Sequence, residues 1–138
     1  MPLDVVTVTP NPAIDWTLTV PRFAPGAVNR VERQQSRPAG KGVNVAAALA
    51  DAGYRVAATG WLGANNAGDF DRFFAARGID DQFVRVPGET RLGIKIADSS
   101  GQPTTGVDFP GVAPPMAERS LLMERVLGLA AEKRWVVM

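Results

Sequence analysis

A glycine-rich turn that opens into a helix constrains this chain more than any other feature. Gly40 and Gly42 bracket Lys41, and an alanine- and valine-rich segment then runs to about Ala52. Pro38 disfavours helical angles at the residue before it, so no helix enters the turn from upstream. Such a turn leaves backbone N–H groups free at the helix N-terminus, where the helix dipole adds partial positive charge. The pattern therefore predicts a site for a phosphate or another anion.

Two side chains strengthen this interpretation. Lys41 can add a full positive charge at the turn, and Asn44 is almost the only polar residue of the helix. We interpret Asn44, one turn in, as a hydrogen-bonding residue that faces the same point. The alternative is that the glycines serve only tight packing, and a short glycine motif does not by itself decide between the two.

Composition excludes several other classes of site. The chain has 138 residues, a net charge of +1, no cysteine and no histidine. These values indicate one modest domain, without disulfides, zinc sites or histidine-dependent triads. Acidic and basic residues are interspersed, and no apolar run approaches the roughly 20 residues of a membrane span. The N-terminus also lacks a signal-peptide pattern. We therefore expect no nucleic-acid or membrane partner and a cytoplasmic location.

Strand-like and helix-like segments alternate along the chain and predict an α/β doubly wound, mostly parallel sheet. Core strands are predicted at 3–9, 55–62, 79–86 and 134–138. Helices are predicted at 42–52, from a cap at Asn66 to Gly78 with Asp69 in the first turn, and at 116 to about 132. Phe70, Phe73 and Phe74 fall at helical spacing and are interpreted as core.

Asp15 follows the predicted end of the first strand, after the rigid turn Thr9-Pro10-Asn11-Pro12. Ligands of open α/β sheets bind beyond the carboxyl ends of strands, so Asp15 is a candidate to accept hydrogen bonds from substrate hydroxyls. The alternative is an aspartate that only stabilises a loop.

Two hairpins are predicted at about 15–36 and 90–109, the first with strands at 16–20 and 27–35. Together they could form a four-stranded sheet that covers the site as a lid, or the first could be an ordinary edge hairpin. Arg91 lies at the root of the second hairpin, where it could bind a phosphate through two N–H groups. It could equally be a solvated surface arginine.

The last residues, 134–138, begin an apolar strand that no turn or polar tail follows. A carboxylate at the end of a buried strand would be costly. We therefore expect the chain to be the N-terminal part of a longer domain.

Three motifs carry a resemblance. The pattern A-G-K-G-x-N-x-A spans 39–46 and is followed by Gly53 and Gly63; T-P-N-P-A-I-D spans 9–15, and Thr90-Arg91 opens the second hairpin. Together they resemble the PfkB/ribokinase family of carbohydrate kinases. The similarity covers the whole chain but only the N-terminal half of the family's domain. Within the family, the sequence most resembles the members that phosphorylate fructose 1-phosphate, with the tagatose-6-phosphate kinases as near relatives.

The resemblance implies a substrate, cofactors and a partner. Asp15 would hydrogen-bond sugar hydroxyls, Gly40, Lys41 and Asn44 would line the sugar pocket, and Arg91 would contact the sugar phosphate. The complete enzyme would use ATP and Mg²⁺ to convert fructose 1-phosphate to fructose 1,6-bisphosphate. The hairpins would form a lid that pairs with a second subunit in a homodimer.

The sequence departs from the family pattern in two respects. Gly93 stands where relatives usually have asparagine. The Gly-Ala-Gly-Asp stretch that carries the catalytic aspartate does not occur in the sequence, so the resemblance assigns no catalytic residue, metal ligand or nucleotide site to this chain. The remaining alternatives are a non-catalytic sugar-phosphate-binding fragment and a product without function.

Overall fold

The computed structural model describes residues 4–131 and 135–138. The strands are β1 (Val5–Thr9), β2 (Ala13–Val20), β3 (Arg33–Ala39), β4 (Val56–Gly63), β5 (Asp80–Asp81), β6 (Val84–Val86), β7 (Leu92–Asp98), β8 (Thr105–Asp108) and β9 (Trp135–Val137). The helices are α1 (Lys41–Asp51), α2 (Gly68–Arg77) and α3 (Met116–Ala131), and a 3₁₀ turn spans Ala64–Asn66.

The main sheet is parallel and has the order β5-β4-β1-β9, with β6 also paired to β4. Every residue of β1 is buried, as a continuous apolar run predicts for a strand covered on both faces. Phe70 and Phe74 of α2 are buried in the core on one side of the sheet, and Phe74 stacks on Phe83. The α/β architecture and the core role of these phenylalanines are confirmed.

A second, smaller sheet has the order β3-β2-β7-β8. Strands β2 and β3 are antiparallel, as are β7 and β8, and β2 runs parallel to β7 between them. Side chains alternate between the faces of a strand, so each face of this sheet has its own composition. One face carries the row Arg37, Asp15, Gly93 and Asp108, and the other carries the row Trp16, Ile94 and Val107.

The first hairpin differs from its prediction. Its return strand begins at Arg33 and ends at Ala39, so residues 27–32 lie outside it. Pro38 is accepted within β3 because β3 is an edge strand and a missing N–H costs an edge little. Asp15 lies inside β2 rather than in a loop, so its interpretation as a loop-stabilising residue is wrong.

Asn66 does not cap α2, contrary to the prediction. Ala67 is the N-cap residue, and no side chain caps the helix. The predicted strand 79–86 is two short strands, β5 and β6, separated by Gln82 and Phe83. Gln82 donates its N–H to the Ala58 carbonyl at 2.9 Å and so continues the contact with β4 between the two strands.

The helix α3 and the strand β9 leave apolar side chains uncovered. Trp135 is 69% exposed, Met123 62% and Leu127 63%, whereas Leu122 is buried. The predicted ends of this helix at Glu132, Lys133 and Arg134, and of the first strand at Leu3, lie outside the described residues. Within 4–131 and 135–138, no helix is long and apolar enough to cross a membrane.

Candidate active site

An open cleft of about 510 Å³ lies where β1 ends and α1 begins. All five residues proposed from the sequence line it: Asp15, Gly40, Lys41, Asn44 and Arg91. They come from β2, the turn before α1, α1 itself and the segment before β7. The structure therefore brings together in one cleft residues that are up to 76 positions apart in the chain.

The glycines of the turn allow α1 to approach β1 closely. Gly40 has φ 133°, and a Cβ atom there would lie 2.7 Å from Thr9 Cγ2. A Cβ atom at Gly42 would lie 2.2 Å from Thr9 Oγ1 and 3.1 Å from the Val8 carbonyl oxygen. Side chains at these positions would push the helix N-terminus away from the end of the strand. The packing role of the glycines and their role in forming the cleft are thus the same.

Arg91 is half-buried and held by backbone and side-chain contacts. Its carbonyl accepts the Ile14 N–H at 2.9 Å, which ties the root of β7 to β2. Its Nε donates to Asn11 Oδ1 at 3.1 Å. Asn11 also lines the cleft. The motif T-P-N-P-A-I-D contains this asparagine, but nothing in the sequence indicated its partner.

Asp15 forms an ion pair with Lys95, whose Nζ lies 3.1 Å from Asp15 Oδ2. Both residues are on the polar face of the second sheet, in neighbouring strands. Gly93 lies between Asp15 and Asp108, and a Cβ atom there would be 3.1 Å from Asp15 Oδ1 and 3.3 Å from Asp108 Oδ1. The small residue leaves the space between two carboxylates free.

Asn44 is oriented by Arg37, a residue of β3 that sequence analysis did not single out. Arg37 donates to Asn44 Oδ1 at 3.2 Å. Because the carboxamide oxygen accepts this bond, its NH₂ group remains available to donate to a ligand in the cleft.

The segment that leads to Arg91 is clamped to the main sheet through Thr90. Thr90 is buried, its hydroxyl accepts the Gly63 N–H at 2.9 Å, and its own N–H and carbonyl are both bonded by the Asn66 carboxamide. Gly63 is required for this approach, since a Cβ atom there would lie 2.3 Å from Thr90 N. Asn66 thus anchors the root of the second sheet instead of capping a helix.

The cleft has an excess of positive charge. In the described part of the chain, neither Lys41 nor Arg91 forms an ion pair, whereas Asp15 is neutralised by Lys95. The N-terminus of α1 adds partial positive charge at the same place. Residues 4–131 and 135–138 contain no group of three or more acidic, histidine or cysteine side chains that could hold a metal ion, so we assign no Mg²⁺ ligand to them.

Residues 6–130 match the model of the pfkB family of carbohydrate kinases. The chain is 47% identical over 112 residues to a 1-phosphofructokinase of Xanthomonas campestris, covering 81% of this chain and 35% of that protein. It is 45% identical over 132 residues to a 1-phosphofructokinase of Rhodobacter capsulatus, covering 96% of this chain and 42% of that protein. The chain therefore spans about two fifths or less of the length of these relatives.

Solved structures show the same fold. A protein described as a possible 1-phosphofructokinase from Thermotoga maritima superposes with a TM-score of 0.82 at 29% identity, covering 96% of this chain and 43% of that one. Phosphofructokinase-2 from Escherichia coli, solved with fructose 6-phosphate, gives a TM-score of 0.82 at 24% identity, covering 91% of this chain and 42% of that one. The second similarity concerns the fold alone.

Proposed function

The chain belongs to the pfkB family of carbohydrate kinases, and we propose that it supplies the sugar-phosphate site of an enzyme that phosphorylates fructose 1-phosphate. One observation carries the proposal. Lys41 and Arg91, two cations without a carboxylate partner in the described residues, line the same cleft as Asp15 and Asn44. Unpaired cations suit a phosphate, whereas the carboxylate and the carboxamide suit the hydroxyl groups of a sugar.

Each residue has a role in this proposal. Arg91 binds the substrate phosphate, and Lys41 with the α1 N-terminus adds positive charge around it. Asp15 accepts hydrogen bonds from sugar hydroxyls through Oδ1, since Lys95 contacts only Oδ2. Asn44 donates its NH₂ group. These contacts place the acceptor hydroxyl, and placement with charge stabilisation provides most of the catalysis in phosphoryl transfer. ATP with Mg²⁺, when bound by the remainder of such an enzyme, supplies the phosphoryl group.

We further propose that the second sheet is a lid and that its apolar face binds a second copy. Asp15, on its polar face, lines the cleft. The opposite face continues from the buried Ile14 to Trp16 and Ile94, which are only half-buried, and to Val107, which is 47% exposed. An apolar sheet face of this kind requires a cover. In a chain that also carries Trp135→Lys and Leu127→Lys, which remove exposed apolar side chains of β9 and α3, Ile94→Asp should therefore shift a dimer to monomer in analytical ultracentrifugation. Lys95→Asp, on the other face, should not.

Binding measurements with the 138-residue chain test the substrate. We expect fructose 1-phosphate to bind and to shift the NMR resonances of Gly40, Lys41 and Asn44. Unphosphorylated fructose should bind much more weakly, because it lacks the negative charge. ATP should also bind much more weakly, because no nucleotide site is assigned to this chain. The affinity for tagatose 6-phosphate tests the near alternative: tighter binding than that of fructose 1-phosphate would favour a tagatose-6-phosphate kinase. Equal affinity for fructose and fructose 1-phosphate would contradict a phosphate site.

A further inference from the structure

The guanidinium of Arg91 is held along one edge and free along the other. Nε donates to Asn11 Oδ1 at 3.1 Å. Among residues 4–131 and 135–138, neither terminal nitrogen of Arg91 has a hydrogen-bond partner. A guanidinium binds a phosphate in bidentate fashion through two N–H groups. The contact with Asn11 therefore leaves the terminal pair for a ligand.

Asn11 is itself fixed in place. Pro10 and Pro12 flank it, and proline locks its own φ and restricts the residue before it. Its carboxamide lies against the backbone of Gly111, where a Cβ atom would be 2.4 Å from Asn11 Oδ1. Asn11 is exposed, but the two prolines and the close backbone of Gly111 limit the positions that its short side chain can take.

The backbone of Arg91 is equally constrained. Its carbonyl accepts the Ile14 N–H, and the preceding Thr90 is bonded through its N–H, carbonyl and hydroxyl. What remains free is the long arginine side chain, which has many rotamers. Among the residues that the structure describes, Asn11 restrains the Arg91 side chain by a hydrogen bond.

We propose that Asn11 is a positioning residue: it orients the Arg91 guanidinium so that its two terminal N–H groups are directed at the substrate phosphate, without touching the phosphate itself. The proposal rests on the proposed function, in which Arg91 binds that phosphate. It adds Gly111 as the residue whose lack of a side chain lets Asn11 take this position. The Asn11–Arg91 hydrogen bond and the packing on Gly111 can be tested separately from substrate binding.

The first measurement is the exchange rate of the Arg91 Nε–Hε proton, by NMR on the 138-residue chain without ligand. A hydrogen bond to Asn11 slows this exchange. We expect faster exchange in Asn11→Ala and in Gly111→Ala, which displaces the carboxamide by crowding. Asn65→Ala is the matched control, because Asn65 is exposed and its side chain has no hydrogen-bond partner in the described residues. Unchanged exchange in Asn11→Ala would overturn the proposal whatever the substrate is.

The second measurement is the affinity for fructose 1-phosphate. We expect Asn11→Ala and Gly111→Ala to weaken binding by roughly three- to ten-fold, the range of one hydrogen bond. In an Arg91→Met background, Asn11→Ala should have no further effect, since methionine has no N–H group for Asn11 to hold. An equal loss in both backgrounds would show that Asn11 acts on the ligand directly and would overturn the positioning role. If Arg91→Ala does not weaken binding, the proposed function of Arg91 is wrong, and the positioning role falls with it.

Discussion

At the residue scale, the polar groups of the cleft are arranged in pairs. Asp15, Asn44 and Arg91 each contact a partner that sequence analysis did not assign: Lys95, Arg37 and Asn11. The candidate residues themselves could be predicted because each belongs to a local motif beside a strand end or a helix start. Two of the partners lie 80 positions from the residue they hold. Their contacts depend on strand register, which local patterns do not specify.

Replacing Arg91 tests the phosphate contact most directly. Arg91→Ala should raise the Kd for fructose 1-phosphate by roughly ten-fold or more, because a hydrogen bond to a charged group is worth about 1.5–3 kcal/mol. Calorimetry on the 138-residue chain measures it. Arg72→Ala is the matched control, since Arg72 is exposed on α2 and paired with Asp69. Unchanged affinity in Arg91→Ala would make Arg91 an ordinary surface residue.

Gly42 supports a prediction on stability. Alanine favours a helix over glycine by about 1 kcal/mol, but its Cβ would collide with Thr9, and overpacking costs about 1–3 kcal/mol. The difference between these effects is a loss of up to about 2 kcal/mol, so we expect Gly42→Ala to lower the free energy of unfolding within that range. Gly128→Ala in α3, where a Cβ meets nothing within 4 Å, should raise it by roughly 0.5–1 kcal/mol.

Urea denaturation of both glycine variants compares the two sites. Thr9→Ala should restore part of the loss in Gly42→Ala, because it removes the hydroxyl that the new methyl group meets. Equal stabilisation by Gly42→Ala and Gly128→Ala would mean that α1 and β1 have room between them, and that the glycine at 42 has no packing role.

At the element scale, the second sheet depends on Asp98 at the end of β7. The Ser100 hydroxyl and N–H donate to its carboxylate, as do the N–H groups of Phe23 and Arg22, and these bonds lower the pKa of Asp98 below its ordinary value. Arg22 has φ 54°, a left-handed conformation that its bond to Asp98 helps to hold. One carboxylate thus joins the loop after β2 to the β7–β8 hairpin.

The lowered pKa gives a pH dependence with a definite sign. The contribution of Asp98 is fully present above its unfolded-state pKa, and it is lost as the pH falls through the lower folded-state value. As the pH falls below the ordinary aspartate pKa of 3.8, we therefore expect the Phe23 amide resonance to move toward its unbonded position. The Ala24 amide is the internal control, since it donates to the uncharged Asn29 Oδ1 at 2.9 Å. A Phe23 shift that persists in Asp98→Asn would assign the titration to another group.

The elements show where sequence reasoning was sufficient. Strands β1 and β4 and helix α1 were predicted within about two residues, because buried parallel strands and a capped helix have strong local patterns. The return strand β3 was misplaced, since its sequence Arg33–Ala39 is polar, is exposed over its first five residues, and contains a proline. Pairing with β2, which local propensity does not report, determines that strand.

At the scale of the whole molecule, the chain presents large uncovered apolar surfaces. Strand β9 is an edge of the main sheet, with Trp135 and Val136 exposed, and α3 exposes Met116, Met123 and Leu127. An open edge strand beside exposed apolar side chains favours association between chains. We expect the 138-residue chain to self-associate in light scattering. Trp135→Lys together with Leu127→Lys should reduce that association, whereas Val107→Lys on the second sheet should leave this mode of association in place.

The last prediction concerns catalysis. The 138 residues alone should bind fructose 1-phosphate but not phosphorylate it, because the sequence contains no Gly-Ala-Gly-Asp and the resemblance assigns the base, anion hole and nucleotide site to that region. A chimera in which these residues replace the matching part of the Rhodobacter capsulatus 1-phosphofructokinase, 45% identical over 132 residues, should release ADP with fructose 1-phosphate, ATP and Mg²⁺. Arg91→Ala in the chimera should raise the KM for the sugar phosphate far more than the KM for ATP.

Turnover by the 138-residue chain alone would show that the assignment of catalysis elsewhere is wrong. A folded chimera that binds fructose 1-phosphate without turnover would favour the non-catalytic sugar-phosphate-binding alternative, because the cleft would then retain its ligand and have lost the placement that transfer requires.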